Sequence, residues 1–255
     1  MEYLGIIVGK GQVKMDPVKV KGIMDWPIPT NISELCSFLG FVSYYKDFIP
    51  SYSCITRPLY DLTKKNTLWS WEASQDNAFQ LPKDLFMSYL ILRNPDPTKP
   101  YILDTNTPKY AVGAVLSQDY PDRRHPIPYF SKSLLDAETN YNIYDRELLA
   151  IIKAVIAFRY LLLGAQEPFI IRTDHENLKY FKSLQKISAQ QARWHEFLQD
   201  YNFKLKHFPG KSNTIANLLS QRKNFEGGVN PNESVTILPD HLFVCKIYLK
   251  DDPET

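Results

Sequence analysis

The chain has 255 residues, of which 44% are hydrophobic and 13% aromatic, enough to bury a substantial core in one or two domains and too much for a disordered polypeptide. Thirty Lys and Arg against 28 Asp and Glu give a formal charge of +2, which excludes a strongly basic or strongly acidic protein as a whole. The three cysteines, Cys36, Cys54 and Cys245, are too scattered for a disulfide framework or a zinc site, and no apolar run suits a signal peptide or a bilayer crossing, so an intracellular protein of cytoplasm or nucleus, with no membrane partner, is expected.

In chain order, YLGIIVGKGQVKMD reads as a hairpin turning at Gly9-Lys10-Gly11. Asp16-Pro17 then opens a helix through Val20, Ile23 and Met24 that Trp26-Pro27 stops. Thr30 or Asn31 caps the next helix, whose Leu35, Phe38, Leu39 and Val42 recur at helical spacing. A third helical stretch, near 72 to 88, contains Pro82, which lacks an amide hydrogen and is expected to kink or break it.

After Asn94-Pro95-Asp96-Pro97 the pattern changes to alternating, β-branched runs at 101–105, 110–117 and 127–131, an antiparallel meander. A long apolar helix over 145–163, a strand over 169–173, helices over 175–183 and 188–200, a strand over 203–207 and a helix over 213–221 follow. Strands succeeded by alternating helix and strand predict one mixed α/β domain. The expected division is a small, mainly helical region over 1–95, the α/β domain over 96–222, and a polar, turn-rich tail over 223–255 carrying one short strand at 242–249. The middle block holds 17 basic and 13 acidic residues, a mild bias that permits contact with phosphates without requiring it.

Taken from spacing alone, the polar residues of the middle block read modestly. Glu147 on an apolar helix reads as a solvent-facing acid, Asp174 before His175 as a helix cap, and Asn217 as an ordinary surface residue. His125, His195 and His207 are scattered. Tyr141, Tyr144, Tyr180 and Phe181 suit either a core or base stacking, and Pro209-Gly210-Lys211 either a plain turn or a phosphate contact.

The strings FLGFVSYYKDFIPSYSCITRPLYDLTKK, YAVGAVLSQ, YFSKSLLDAETNYNIYDRELLAI, TDHENLKYF and QQARWHEFLQDYNFKLKHFPGKSNTIANLLSQR do more. In order and spacing they resemble the ribonuclease H domain of gypsy-like long-terminal-repeat retrotransposon Pol polyproteins, preceded by the end of reverse transcriptase in its thumb and connection. LPDHLF, at 238–243, resembles the start of the tether toward integrase. The resemblance implies an RNase H-like mixed five-stranded sheet with flanking helices. It also implies an ancestral activity, two-metal hydrolysis of RNA in RNA–DNA hybrids, in which Mg2+ or Mn2+ ions lie roughly 3.5 to 4 Å apart in a cage of carboxylates.

Carried over residue by residue, the family's Thr-Asp-Ala-Ser falls on Thr105-Asn106-Thr107-Pro108 and its Lys-Glu-Leu-Leu-Ala on Arg146 to Ala150. Its Thr-Asp-His falls on Thr173-Asp174-His175 and its Ala-Asp-Ala-Leu-Ser-Arg on Ala216 to Gln221. Glu147 and Asp174 therefore keep metal-ligand positions, whereas Asn106 and Asn217 replace aspartates. With half the charge of the cage absent, metal binding is expected to be weak or absent and catalysis lost or severely impaired. Asp104, on the same strand face as Asn106 but about 6.5 Å along it, is expected to be too far to compensate. Lys211 and His175 are the candidate nucleic-acid contacts, and a hybrid or other nucleic acid and the remaining Pol segments are the implied partners. An active nuclease and a non-catalytic nucleic-acid or protein binder both stay open. Without a Tyr-x-Asp-Asp segment, polymerase catalysis is not expected of this chain.

Overall fold

The computed structural model describes residues 2–3, 5–9, 11–88, 91–108, 110–173 and 188–207. Asp174, His175, Lys211 and Asn217 lie outside them, as do the helices expected over 175–183 and 213–221, the strand expected over 242–249 and the whole tail.

The N-terminal hairpin forms between β2 (Ile6–Gly9) and β3 (Gln12–Met15), with Gly11 at φ +71, a left-handed conformation that glycine adopts without steric cost. β1 (Glu2–Tyr3) and β4 (Ile91–Arg93) extend it to a four-stranded sheet in the order β1-β2-β3-β4. Asp16 caps α1 (Pro17–Met24) by accepting from the Val18 amide at 2.9 Å. Asn31, of the two candidates, caps α2 (Ile32–Tyr44) by accepting from the Glu34 amide at 3.0 Å. Leu35, Phe38, Leu39 and Val42 are buried, as their spacing requires.

A short 3-10 turn (Lys46–Phe48), α3 (Tyr52–Ile55) and α4 (Arg57–Leu62) are not foreshadowed by periodicity, since none is long enough to show one. The third long helix is a correction. α5 (Ala73–Ser88) runs unbroken through Pro82. Interior proline costs about 3 kcal/mol. The helix buries Phe79, Leu85 and Phe86 almost completely, each worth about 1.5–3 kcal/mol, so the packed face outweighs the missing amide. Lys83, buried beside it, donates from Nζ to the carbonyls of Met24 (3.1 Å) and Trp26 (2.6 Å), tying α5 to the end of α1.

The second sheet has five strands, β5 (Ile102–Asn106), β6 (Ala111–Asp119), β7 (Arg124–Ser133), β8 (Phe169–Thr173) and β9 (Phe203–His207), in the order β7-β6-β5-β8-β9. The expected meander is antiparallel, whereas β8 and β9 join parallel on the other side of β5. A helical turn, α6 (Asp136–Thr139), precedes α7 (Ile143–Ala157). The helix expected over 145–163 divides at Phe158, whose φ −97 and ψ 14 leave the helical region, and resumes as α8 (Arg159–Leu162). Both Phe158 and Leu162 stay in the core, and the break lets them do so. α9 (Ala189–Gln199) is capped by Ser188 and packs on α7.

Alternation along β5 and β6 sorts their two faces. Leu103, Ala114 and Leu116 pack with Leu148, Ile151 and Val155 of α7. On the opposite face Val115, with Tyr129 of β7, joins the core of the N-terminal region around Phe38 and Phe86. The two sheets thus share apolar packing. Their connection is held as well: buried Gln118 accepts from the Asp96 amide (2.9 Å) and donates to the carbonyls of Asp96 (2.8 Å) and Lys99 (3.0 Å). Arg93 and Lys99 both lie against the ring of neighbouring Tyr120, at 4.4 and 3.7 Å. No helix among the described residues is long and apolar enough to cross a membrane.

Candidate active site

Asn106 is the last residue of β5, the central strand, and pairs with Gly113 of β6. It is half-buried at the end of that strand. Glu147 comes from the first half of α7, which packs on β5 and β6. It too is half-buried, and its helical neighbours three and four residues on, Ala150 and Ile151, are fully buried. The acid is partly covered, on a helix whose next turn is buried and whose preceding turn is open.

The turn that presents Glu147 is fastened on two sides. Asn142 caps α7, accepting from the Asp145 amide at 2.8 Å and donating to the Asp145 carboxylate at 2.8 Å. From α9, Gln191 donates to Asp145 at 2.7 Å and Gln190 to the Tyr141 hydroxyl at 2.9 Å. Tyr141 also packs near Trp194, their ring centroids 6.4 Å apart, and is accordingly a structural residue. Glu138 of α6 and Lys153 of α7 form a largely buried ion pair at 2.5 Å. Burial pushes the Glu138 carboxyl up, but the Lys153 ammonium and the Leu135 amide prevail and hold it below its ordinary value.

Asp104 is where sequence reasoning was least informative. It is buried on β5 and forks onto Arg172 of the parallel neighbour β8, with Arg172 Nε on Oδ1 and Nη2 on Oδ2, the latter at 2.7 Å. Asp104 and Arg172 are register partners, a pairing across 68 residues that no local pattern announces. The carboxylate two residues from Asn106 is thus engaged by a guanidinium. Among the described residues no group of three or more His, Cys, Asp and Glu could hold a metal ion. The described part of the site, one amide and one carboxylate, does not by itself fit a two-metal cage. His125 pairs with Asp122 at 2.7 Å and His195 with Gln199 at 3.1 Å, so neither joins the site.

A five-stranded sheet of this order with an acid-bearing helix across its central strand defines a class, and comparison agrees: residues 96–201 match the RNase H-like domain found in reverse transcriptase. That segment belongs to this family. Over a longer span the chain is a relative of retrotransposon Pol polyproteins. It is 40% identical over 222 residues to the retrovirus-related Pol polyprotein from transposon 297 of Drosophila melanogaster, covering 87% of this chain and 20% of that protein. It is also 40% identical over 202 residues to the transposon Tf2-3 polyprotein of Schizosaccharomyces pombe, covering 78% and 15%. The chain therefore spans about a fifth or less of the length of these relatives.

Among solved structures, the foamy viral protease-reverse transcriptase in complex with dsDNA superposes with a TM-score of 0.67 at 19% identity, over 82% of this chain and 44% of that one. The same protein in complex with an RNA/DNA hybrid gives 0.62 at 18% identity, over 92% and 32%. At such identity the likeness establishes the fold alone.

Proposed function

We propose that this chain is a nucleic-acid-binding module of a retrotransposon Pol protein, descended from a two-metal RNase H, in which hydrolysis of the RNA strand of RNA–DNA hybrids is lost or severely reduced. The observation that carries the reading is the state of β5. Its terminal position 106 holds an amide, and the one acid on that strand, Asp104, is committed to Arg172.

Charge arithmetic gives the scale. A unit pair at about 4 Å is worth roughly 4 kcal/mol at an effective dielectric of 20. Even if screening halves that, each Asp-to-Asn exchange beside a divalent ion weakens its binding by more than tenfold, and positions 106 and 217 both carry it. Glu147 and Asp174 are the retained ligand positions, and Lys211 and His175 the nucleic-acid contacts that follow from the family pattern. Complexes of the structural neighbours with dsDNA and with an RNA/DNA hybrid support a duplex as the ligand.

The test is cleavage of an end-labelled RNA–DNA hybrid in Mg2+ or Mn2+ by the unaltered protein and by Asn106→Asp plus Asn217→Asp. Cleavage by the double variant alone is the expected result. Robust cleavage by the unaltered chain refutes the loss of activity and favours a working nuclease, while silence from both leaves a binder whose decay extends beyond the two asparagines.

A further inference from the structure

The end of the sheet that carries Asn106 is also where the N-terminal region reaches it. Tyr110 lies in the loop leaving Asn106 toward β6, and Arg57 of α4 stacks on it with its guanidinium carbon 3.7 Å from the ring centroid. One strand further, the Ser53 amide donates to Ser131 Oγ of β7 at 2.9 Å. Ser51, held at the left-handed φ of 54, places its Oγ 3.5 Å from where a Cβ on Gly113 would stand, and Gly113 is the register partner of Asn106. Three contacts from one segment thus seat Arg57 at the rim of the candidate site.

What Arg57 does there is not explained by its protein partners. Its side chain is 39% exposed, and its ion pair with Asp61, at 3.7 Å, is too long for a hydrogen bond. Asp61 is held more closely by Lys64, at 2.6 Å. Among the described residues the Arg57 guanidinium makes no hydrogen bond. A guanidinium held over an aromatic ring is already restricted in position, so less rotamer freedom is lost when it binds an anion. The anion geometry such a fork matches is a phosphate's.

We infer that Arg57, presented by Tyr110, binds the phosphodiester backbone of a nucleic-acid duplex lying along the Asn106 end of the sheet. This rests on the nucleic-acid-binding reading above and adds that the N-terminal region contributes to the same track. The contact reads no sequence, and Asp61 opposes it.

Fluorescence anisotropy with a labelled RNA–DNA hybrid and the full 255-residue chain tests it, across a salt series, for the unaltered protein, Arg57→Ala, Arg57→Lys and Asp61→Asn. Arg57→Ala should bind roughly tenfold more weakly, as expected for one charge-assisted contact. Its slope of log affinity on log salt should be shallower by about 0.9, as for one lost phosphate contact. Arg57→Lys keeps the charge without the fork and should fall between, and Asp61→Asn should bind more tightly. Unchanged affinity and slope in Arg57→Ala overturn the assignment of Arg57 alone. Should Arg57→Ala fail to fold, Asp61→Asn decides, and unchanged affinity there overturns the assignment. If the unaltered chain does not bind the hybrid at low salt, the nucleic-acid reading itself falls and this inference with it.

Discussion

Removing Asp104 should be among the most damaging single changes in the α/β region. The carboxylate side chain is 4% exposed and its partner Arg172 13% exposed, and the two are joined by a fork of two hydrogen bonds. Asp104→Ala removes the carboxylate onto which a largely buried guanidinium forks, and breaking such a pair typically costs about 3–5 kcal/mol. For a chain of this size each kcal/mol moves Tm by about 2–4 °C, so a fall of roughly 10 °C is expected. Arg172→Met should cost a similar amount by stranding the carboxylate. The double variant Asp104→Leu plus Arg172→Met removes both charges and supplies apolar bulk, and should lie within about 2 kcal/mol of the unaltered protein. Urea unfolding of these proteins together with Asp104→Leu closes the cycle and yields the coupling energy, which should be large and opposite in sign to the single costs. Singles costing under about 1 kcal/mol, or a double equal to their sum, would refute the account of the pair as a mutually dependent buried unit.

Further expectations concern other tethers. Lys83→Met should strip the donors from the carbonyls of Met24 and Trp26 and cost about 1–3 kcal/mol by urea unfolding, whereas a solvent-facing lysine would cost next to nothing. Gln118→Ala should leave the Asp96 amide and two carbonyls unpaired, at about 3 kcal/mol, and hydrogen exchange at the Asp96 amide should accelerate. The Glu138 carboxyl is held below its ordinary value of 4.5, so its contribution is present above that pH and is lost as pH falls through the folded-state value. Acid titrations of stability should therefore show the unaltered protein converging on Glu138→Gln below pH 4.5, and parallel curves would contradict this.

How much was legible beforehand depends on sequence distance. α1 and α2 announce themselves because Asp16, Pro17 and Asn31 act within a few residues of their targets. The meander of β5, β6 and β7 follows from alternation and turn residues in the same way. The break at Phe158 and the survival of α5 through Pro82 are set by what the helices pack against, which periodicity cannot weigh. Glu147 is singled out by a motif and not by spacing, since a single polar residue on an apolar helix looks alike whether it faces water or a sheet rim. Asp104 with Arg172, and Arg57 with Tyr110, were missed altogether. Each joins segments 53 or more residues apart, and only the sheet's topology makes them neighbours.

The grip of Gln118 on residues 96 and 99 has a mechanical corollary. A joint whose backbone groups are already spoken for cannot act as a swivel, so torque on one half of the molecule passes directly into the other. Relative motion of the two halves would have to release the glutamine amide from its socket as well as part the apolar packing around Val115 and Tyr129. Lengthening the joint by a single residue would shift every one of those bonds out of step, leaving the packing of Val115 and Tyr129 to hold the two halves together.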